Sequence, residues 1–331
     1  MHWTLTSRLR SLIAALVLVA AGCGKPHGQP VRVIISRGSS FSDATDSLAK
    51  AKIVKWPTGF RLMARMSGKD RNIKPGTYLL KKGTAWSEVL SALNGGRGVV
   101  NSVTIPEGFM LRQIVPLLAK RLELPVDSIN AAVRDTTLRA RLDVPTETLE
   151  GYLFPDTYAF PDGTKARNAV SEMVKRFERE WKKEWDARLV ELAMNRNDII
   201  ALASIIEKEA RLPEERPVIS AVYHNRLKKQ MLLQADPTVQ YALPAHTQRV
   251  LYRDLEVKSP YNTYQNPGLP PGPIASPGGP SIVAALFPAN VAYLYFVAFP
   301  DGHHEFRTTL SEHEQAKRQS QSAAKTATPK K

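Results

Sequence analysis

Asn197-Asp198-Ile199-Ile200-Ala201-Leu202-Ala203-Ser204-Ile205-Ile206-Glu207-Lys208-Glu209-Ala210 is the stretch from which the chain is best read. Apolar residues fill nearly every position from Ile199 to Ile206, which predicts a helix buried on most sides, and Asn197 and Asp198 offer capping chemistry at its start. Two carboxylates stand at its end. At 100° per residue Glu209 lies over Leu202, Ile205 and Ile206, whereas the turn beneath Glu207 is Ala203 and Ser204. Desolvation raises a carboxyl pKa, and a proton donor working near neutrality needs a value of about 6 to 7. Glu209 is therefore the candidate general acid, and Glu207 is the second choice. Taken alone, a Glu-Lys-Glu run at a helix end reads more readily as a solvated face.

Outward from this helix the pattern stays mainly helical. A helix is predicted over Glu215–Lys229 with Val218, Ile219, Val222 and Leu227 on one side, and Asp236-Pro237-Thr238 joins an N-cap residue to a proline suited to the first helical position. Pro260 to Pro280 is a Pro/Gly-dense loop. A short helix at Ser281–Phe287, a hairpin through Tyr293–Phe299 and Glu305–Leu310, and the capping-box sequence Ser311–Glu314 follow. On the N-terminal side, Asn168–Leu192 is a charged helical segment, and a boundary falls at Glu150, where aromatics, Pro and Gly crowd together. Before it, strand-like runs at Val31–Ile35, Tyr78–Leu80 and Val99–Ile105 alternate with helical runs at Phe41–Ile53, Phe60–Met66, Trp86–Leu93 and a helix reaching Leu122. The expected class is α+β: a small β-α region at 31–149, a mainly helical domain with one hairpin at 150–314, and a basic, disordered tail at 315–331.

The first residues read as an export signal. Arg8 and Arg10 precede an apolar run from Leu12 to Ala21 that ends at Lys25 and Pro26, too short to span a bilayer, which takes about 20 residues. Residues 1–22 are the expected signal peptide. Cys23, the single cysteine of the chain, has no disulfide partner and follows Ala20-Ala21-Gly22, a sequence similar to a bacterial lipobox with Ala20 where Leu is preferred. Lipidation at Cys23 is the expectation, and a retained anchor or ordinary cleavage is the alternative. The formal charge of +15 is spread along the chain and into its ends, and neither a zinc-finger spacing nor an aromatic-basic signature accompanies it, so nucleic acid is not an expected partner. His303-His304-Glu305 lacks the spacing that turns two histidines toward zinc and reads as a surface pair, and no metal or cofactor is predicted. Ser47-Leu48-Ala49-Lys50 has no Ser-x-Asn or Lys-Thr-Gly companion, and no nucleophile elbow, P-loop or dinucleotide fingerprint occurs.

Six segments carry a resemblance. Glu150-Gly151-Tyr152-Leu153-Phe154-Pro155-Asp156-Thr157-Tyr158, Ala203–Glu209, Leu233-Gln234-Ala235-Asp236-Pro237-Thr238-Val239-Gln240-Tyr241, Tyr261-Asn262-Thr263-Tyr264, Gly268–Ala275 and Tyr293–Ala298 resemble, in order, the YceG-like (MltG) family of endolytic murein transglycosylases. The resemblance implies a peptidoglycan-cutting lyase whose catalytic glutamate, the second of the Ile-Glu-Lys-Glu motif, falls on Glu209. It also implies glycan strands as substrate, no cofactor, and peptidoglycan synthases as candidate partners. The expected location is the cell membrane, by preference the inner one, with an N-terminal anchor and the catalytic domain in the periplasm or extracytoplasmic space. The motif is similar to the Glu-Ser pair of other lytic transglycosylases, with Ala210 replacing Ser. The earlier strand-helix order resembles LysM modules, which bind N-acetylglucosamine-containing glycans, although a plain α+β spacer fits it as well. As a sugar groove, Tyr152, Tyr261 and Tyr264 offer flat faces and hydroxyls, and Gln234, Asp236, Asn262 and Thr263 offer polar groups. Asp236 serves equally as a helix cap and Tyr152 as a core aromatic. A hydrolytic muramidase, with Asp236 or Glu207 as second carboxylate, and a non-enzymatic glycan-binding scaffold are the alternatives.

Overall fold

The computed structural model describes residues 26–36, 38–95, 99–161, 163–244 and 250–327. The expected signal peptide at 1–22 and lipidation site at Cys23 lie outside the described residues. Among the described residues no helix is long and apolar enough to cross a membrane. The fold is α+β and divides into two compact units. The first takes the described residues up to Val103 with Arg121–Glu123 and Thr157–Lys165, and the second takes Thr104–Lys120, Leu124–Asp156 and Ala166 onward. The boundary expected at Glu150 is thereby corrected. Hydrogen bonds join the segment before it to the segment around it: the Ile105 N–H donates to the Asp156 carbonyl (2.9 Å) and the Leu149 N–H to the Val133 carbonyl (2.9 Å).

The first unit runs β1 (His27–Ile35), α1 (Phe41–Lys50), α2 (Pro57–Met66), β2 (Gly76–Lys82), α3 (Trp86–Gly95) and β3 (Val99–Thr104), joined later by β4 (Thr157–Pro161). The sheet order is β1-β2-β3-β4, with β1 and β3 both antiparallel to β2. Val33 and Ile35 point inward while Ile34 is exposed, the alternation of a strand with one covered face. Ser40 and Asp43 form a capping box on α1, and Phe41 stacks on Phe60, whose ring meets Trp86 edge-on. The helix expected to reach Ile53 stops at Lys50, because Lys52 turns left-handed (φ 59°) and the Ile53 N–H donates back to the Leu48 carbonyl (2.9 Å). That return tucks Ile53 and Val54 into the core.

The second unit contains α4 (Leu111–Leu122, its last residues passing into the first unit), α5 (Val126–Val133), α6 (Thr136–Arg141), α7 (Ala166–Glu180), α8 (Glu184–Leu192), α9 (Arg196–Glu209), α10 (Arg216–Lys228), α11 (Asp236–Ala242), α12 (Gly279–Leu286), the hairpin β5 (Tyr295–Ala298) and β6 (His304–Arg307), and α13 (Leu310–Ala327). Helix α9 is its axis. Every residue from Ile199 to Ile206 is buried, and each isoleucine or leucine removed from water contributes about 2–3 kcal/mol toward the cost of ordering the chain. The cap is Asn195 rather than Asn197: Asn195 and Asp198 form the capping box. Asn197 instead points inward, its amide donating to the Pro271 carbonyl (3.0 Å) and its oxygen accepting from the Tyr152 hydroxyl (3.2 Å). Ser204 is equally tied, its Oγ accepting the Ile274 N–H (3.0 Å). The tail expected at 315–331 is also corrected. Helix α13 continues through residues 315–327, with Ala316 buried and the Ser320 hydroxyl donating to the Ala298 carbonyl (2.7 Å).

Candidate active site

Glu209 stands at the last turn of α9, at the edge of a cavity of about 520 Å³. This lies in the usual range of small-ligand sites, about 300–1,000 Å³. From α10 come Tyr223 and Arg226, from the strap before α11 comes Gln234, from the first turn of α11 Asp236, from the loop after it Tyr264, from the hairpin Tyr295, Phe296 and His304, and from α13 His313 and Lys317. Four of the residues singled out from sequence therefore meet in one place: Glu209, Gln234, Asp236 and Tyr264.

The electrostatics of Glu209 follow from this enclosure. Burial disfavours the charged carboxylate and the nearby Asp236 charge adds to the effect. Against them act the Tyr223 hydroxyl, which donates to Glu209 Oε1 (3.1 Å), and the more distant Arg226 guanidinium. Desolvation and like charge prevail, and the Glu209 pKa is pushed up to about 7. The counterweights are rigid. Tyr223 is buried and its ring meets Phe296 edge-on. Arg226 spends its donors on the carbonyls of Leu294 (2.7 Å) and Leu233 (2.8 Å). Asp236, which works in the opposite sense, is itself held by the Tyr264 hydroxyl, which donates to it (2.6 Å).

Glu207 is placed elsewhere. Its Oε2 accepts from the Gly278 N–H (3.0 Å) and the Ser281 hydroxyl (2.8 Å), and Arg216 lies 3.8 Å from Oε1. It fastens α9 to the start of α12 and does not line the cavity.

Three of the groove candidates are buried in the fold, and a fourth, Tyr261, stands away from this cavity. Tyr152 is fully buried, bonded to Asn197 and packed edge-on against Phe177, so it is a core aromatic. Asn262 is buried and donates to the carbonyls of Leu255 and Val257 (2.9 Å each). Thr263 is buried, its Oγ1 accepting the Ala235 N–H (3.0 Å) and sharing a bond with Thr238 Oγ1 (2.9 Å). Tyr261 packs on Tyr241 at 4.7 Å between centroids and is absent from the cavity wall. Of the four, Thr263 acts one step back: its carbonyl accepts the Gln234 N–H (3.1 Å), at the point where Gln234 turns left-handed (φ 50°) just before Asp236.

His304 is a further correction. It is no surface residue but a buried one, its Nδ1 2.6 Å from Glu215 Oε2 and its backbone N–H donating to Glu215 Oε1 (2.8 Å). His303 remains at the surface beside Asp301. Tyr223, Arg226 and Lys317 escaped the sequence reading, and Tyr295 entered it only within the Tyr293–Ala298 motif. The i, i+3 spacing of Tyr223 and Arg226, two polar-tipped residues on one face of α10, is the signal that points to them.

Comparison with known proteins gives the family. The chain matches the YceG-like family over residues 33–319. The endolytic murein transglycosylase of Bacillus subtilis is 36% identical over 303 residues, 87% of this chain and 84% of that protein. The endolytic murein transglycosylase of Streptococcus pneumoniae (strain D39) is 29% identical over 299 residues, 81% of this chain but 54% of that longer protein. The crystal structure of a yceG-like protein from Listeria monocytogenes aligns with a TM-score of 0.62 at 34% identity, over 87% of this chain and 98% of that one.

Proposed function

This chain belongs to the YceG-like family, and we propose that it is an endolytic peptidoglycan transglycosylase, a lyase in which Glu209 serves as acid and then as base. The observation that carries this reading is a carboxyl whose pKa is raised to about 7 at the edge of a cavity, with a fixed hydroxyl on one oxygen. Such a group is substantially protonated near neutral pH, and the same group, once ionised, is a competent base. Glu209 protonates the oxygen between N-acetylmuramic acid and N-acetylglucosamine, and the C1–O bond of the muramic acid breaks. The C6 hydroxyl of the same ring then closes on C1 while its proton passes to the Glu209 carboxylate. The product ends in 1,6-anhydro-N-acetylmuramic acid and the enzyme regains its proton. A nucleophile carried on the same ring has a large effective molarity, so no residue need position water. Asp236, held by Tyr264, supplies negative charge beside the cation-like ring of the transition state, and Gln234 and Tyr264 serve as sugar contacts.

The Asp236 carboxylate is also the observation that favours the alternative, hydrolysis with a second acid. Digestion of purified sacculi in oxygen-18 water separates the two. Unlabelled fragments, lighter by one water than hydrolytic ones and absent with Glu209→Gln, are expected. Labelled reducing ends would overturn the lyase reading.

The remaining expectations fit the same picture. The β1-α1-α2-β2 unit is taken as a LysM-like glycan-binding element, Cys23 as a lipid anchor that keeps the enzyme at the inner membrane with its cavity in the periplasm, and peptidoglycan synthases as partners supplying nascent strands. Replacement of Cys23 by Ala is expected to release the protein or leave an uncleaved precursor. Unchanged size and retention would overturn the lipid anchor.

A further inference from the structure

The cavity that holds Glu209 has a neighbour. A second cavity of about 350 Å³ adjoins it, and Asp236, Tyr264 and Lys317 line both. Past that shared wall the lining is apolar, formed by Val250, Leu251, Tyr252 and Leu255, of the 3₁₀ turn Tyr252–Glu256 and its flank. Tyr252 is 87% exposed and Leu251 44% exposed. This exposure is not that of a loose loop. The Leu251 N–H donates to the Asp254 carboxylate (2.8 Å), and the Asn262 amide holds the Leu255 carbonyl (2.9 Å).

An aromatic so exposed on a braced turn adds nothing to the core. Its value lies in what it can touch. A flat apolar face with a polar edge suits a pyranose ring, whose faces are lined by C–H bonds and whose rim carries hydroxyls and acetamido groups. At the shared wall the Asp236 carboxylate accepts hydrogen bonds and the Lys317 ammonium donates them, the pair such a rim requires.

We infer that Tyr252 is the platform of a further sugar subsite, which binds the glycan strand beyond the two rings that flank the cleaved bond. The inference rests on the glycan-cutting reading of the Glu209 cavity. A polymer seated in both cavities contributes binding from rings remote from the chemistry, and that contribution makes cleavage depend on strand length. Tyr252 thereby sets which strands are cut.

The test compares the full chain with Tyr252→Ala and Tyr252→Phe on peptide-free glycan oligomers of graded length and on sacculi. For Tyr252→Ala, kcat/KM on long oligomers falls about fivefold, the shortest cleavable oligomers are cut at the wild-type rate, and sacculi yield a broader distribution of fragment lengths. Tyr252→Phe, which keeps the ring, stays within about twofold of wild type on every length. An equal loss at all lengths, or no loss at any, overturns the subsite while leaving the transglycosylase intact. Absence of cleavage by the wild-type chain counts instead against the underlying activity.

Discussion

Glu209 is a residue the fold would be more stable without. Its pKa stands at about 7 in the folded protein against 4.5 for an unperturbed glutamate, so the native state binds this proton more tightly than the unfolded chain does. Below pH 4.5 both states carry it and the residue costs nothing. Between 4.5 and 7 the unfolded chain ionises while the native one does not, so stability falls as pH rises, and above 7 the loss is complete. At about 1.4 kcal/mol per pH unit between the two values, the loss reaches roughly 3 kcal/mol. Glu209→Gln keeps the shape and an oxygen for the Tyr223 hydroxyl but cannot ionise. Its new amide donor, lacking an assured partner, takes back about 1 kcal/mol. We therefore expect the variant to equal or slightly trail the parent at pH 4.5 and to exceed it by about 2 kcal/mol at pH 8. Urea unfolding followed by tryptophan fluorescence at both pH values measures this directly. A variant no more stable than its parent at pH 8 would refute the claim that enclosure holds this carboxyl protonated, and with it the physical basis for choosing Glu209 as the acid.

Other outcomes follow from the same contacts. Removing the hydroxyl in Tyr223→Phe withdraws a bond that favours the Glu209 carboxylate, so the alkaline limb of the kcat/KM profile, expected near pH 7, moves up by about one unit; a limb that stays or falls counts against the assignment. Glu207→Gln is expected to destabilise by about 1–3 kcal/mol through its bonds to Gly278 and Ser281, while turnover per folded molecule changes little; a loss of turnover matching that of Glu209→Gln would reverse the two roles. Gly151 has φ +81° and a Cβ there would lie 2.3 Å from Pro273 Cβ, so Gly151→Ala costs about 2–4 kcal/mol, and a melting temperature within a degree of wild type would show that the Pro/Gly loop yields.

The chain announced α9 plainly because a helix buried on nearly all sides leaves a continuous apolar run, and no other element reads so directly. The choice between its two carboxylates was open to local geometry as well: the residues one turn back differ, and the structure turns Glu207 toward Gly278 and Glu209 toward Asp236 and Tyr223. The loop motifs were less informative. Asn262 and Thr263 carry the same groups whether they face a sugar or their own backbone, and only the fold reveals that their donors and acceptors are consumed internally. Tyr152 was ambiguous for the same reason. The capping box at Ser311–Glu314 marked the start of α13, but its run through residues 315–327 escaped because it presents no broad apolar stripe. It docks through small contacts, Ala316 and Ser320, which composition cannot distinguish from a solvated tail.

Order of synthesis gives that helix a second meaning. The residues that enclose Glu209 are spread from position 209 to Lys317, and a chain emerges from its N-terminus. Helix α13 and the hairpin before it supply the last-made part of that wall, His304, His313 and Lys317 among it. The surroundings that raise the Glu209 pKa are therefore drawn from segments far apart in order of synthesis, and the site closes only once the later of them has been made.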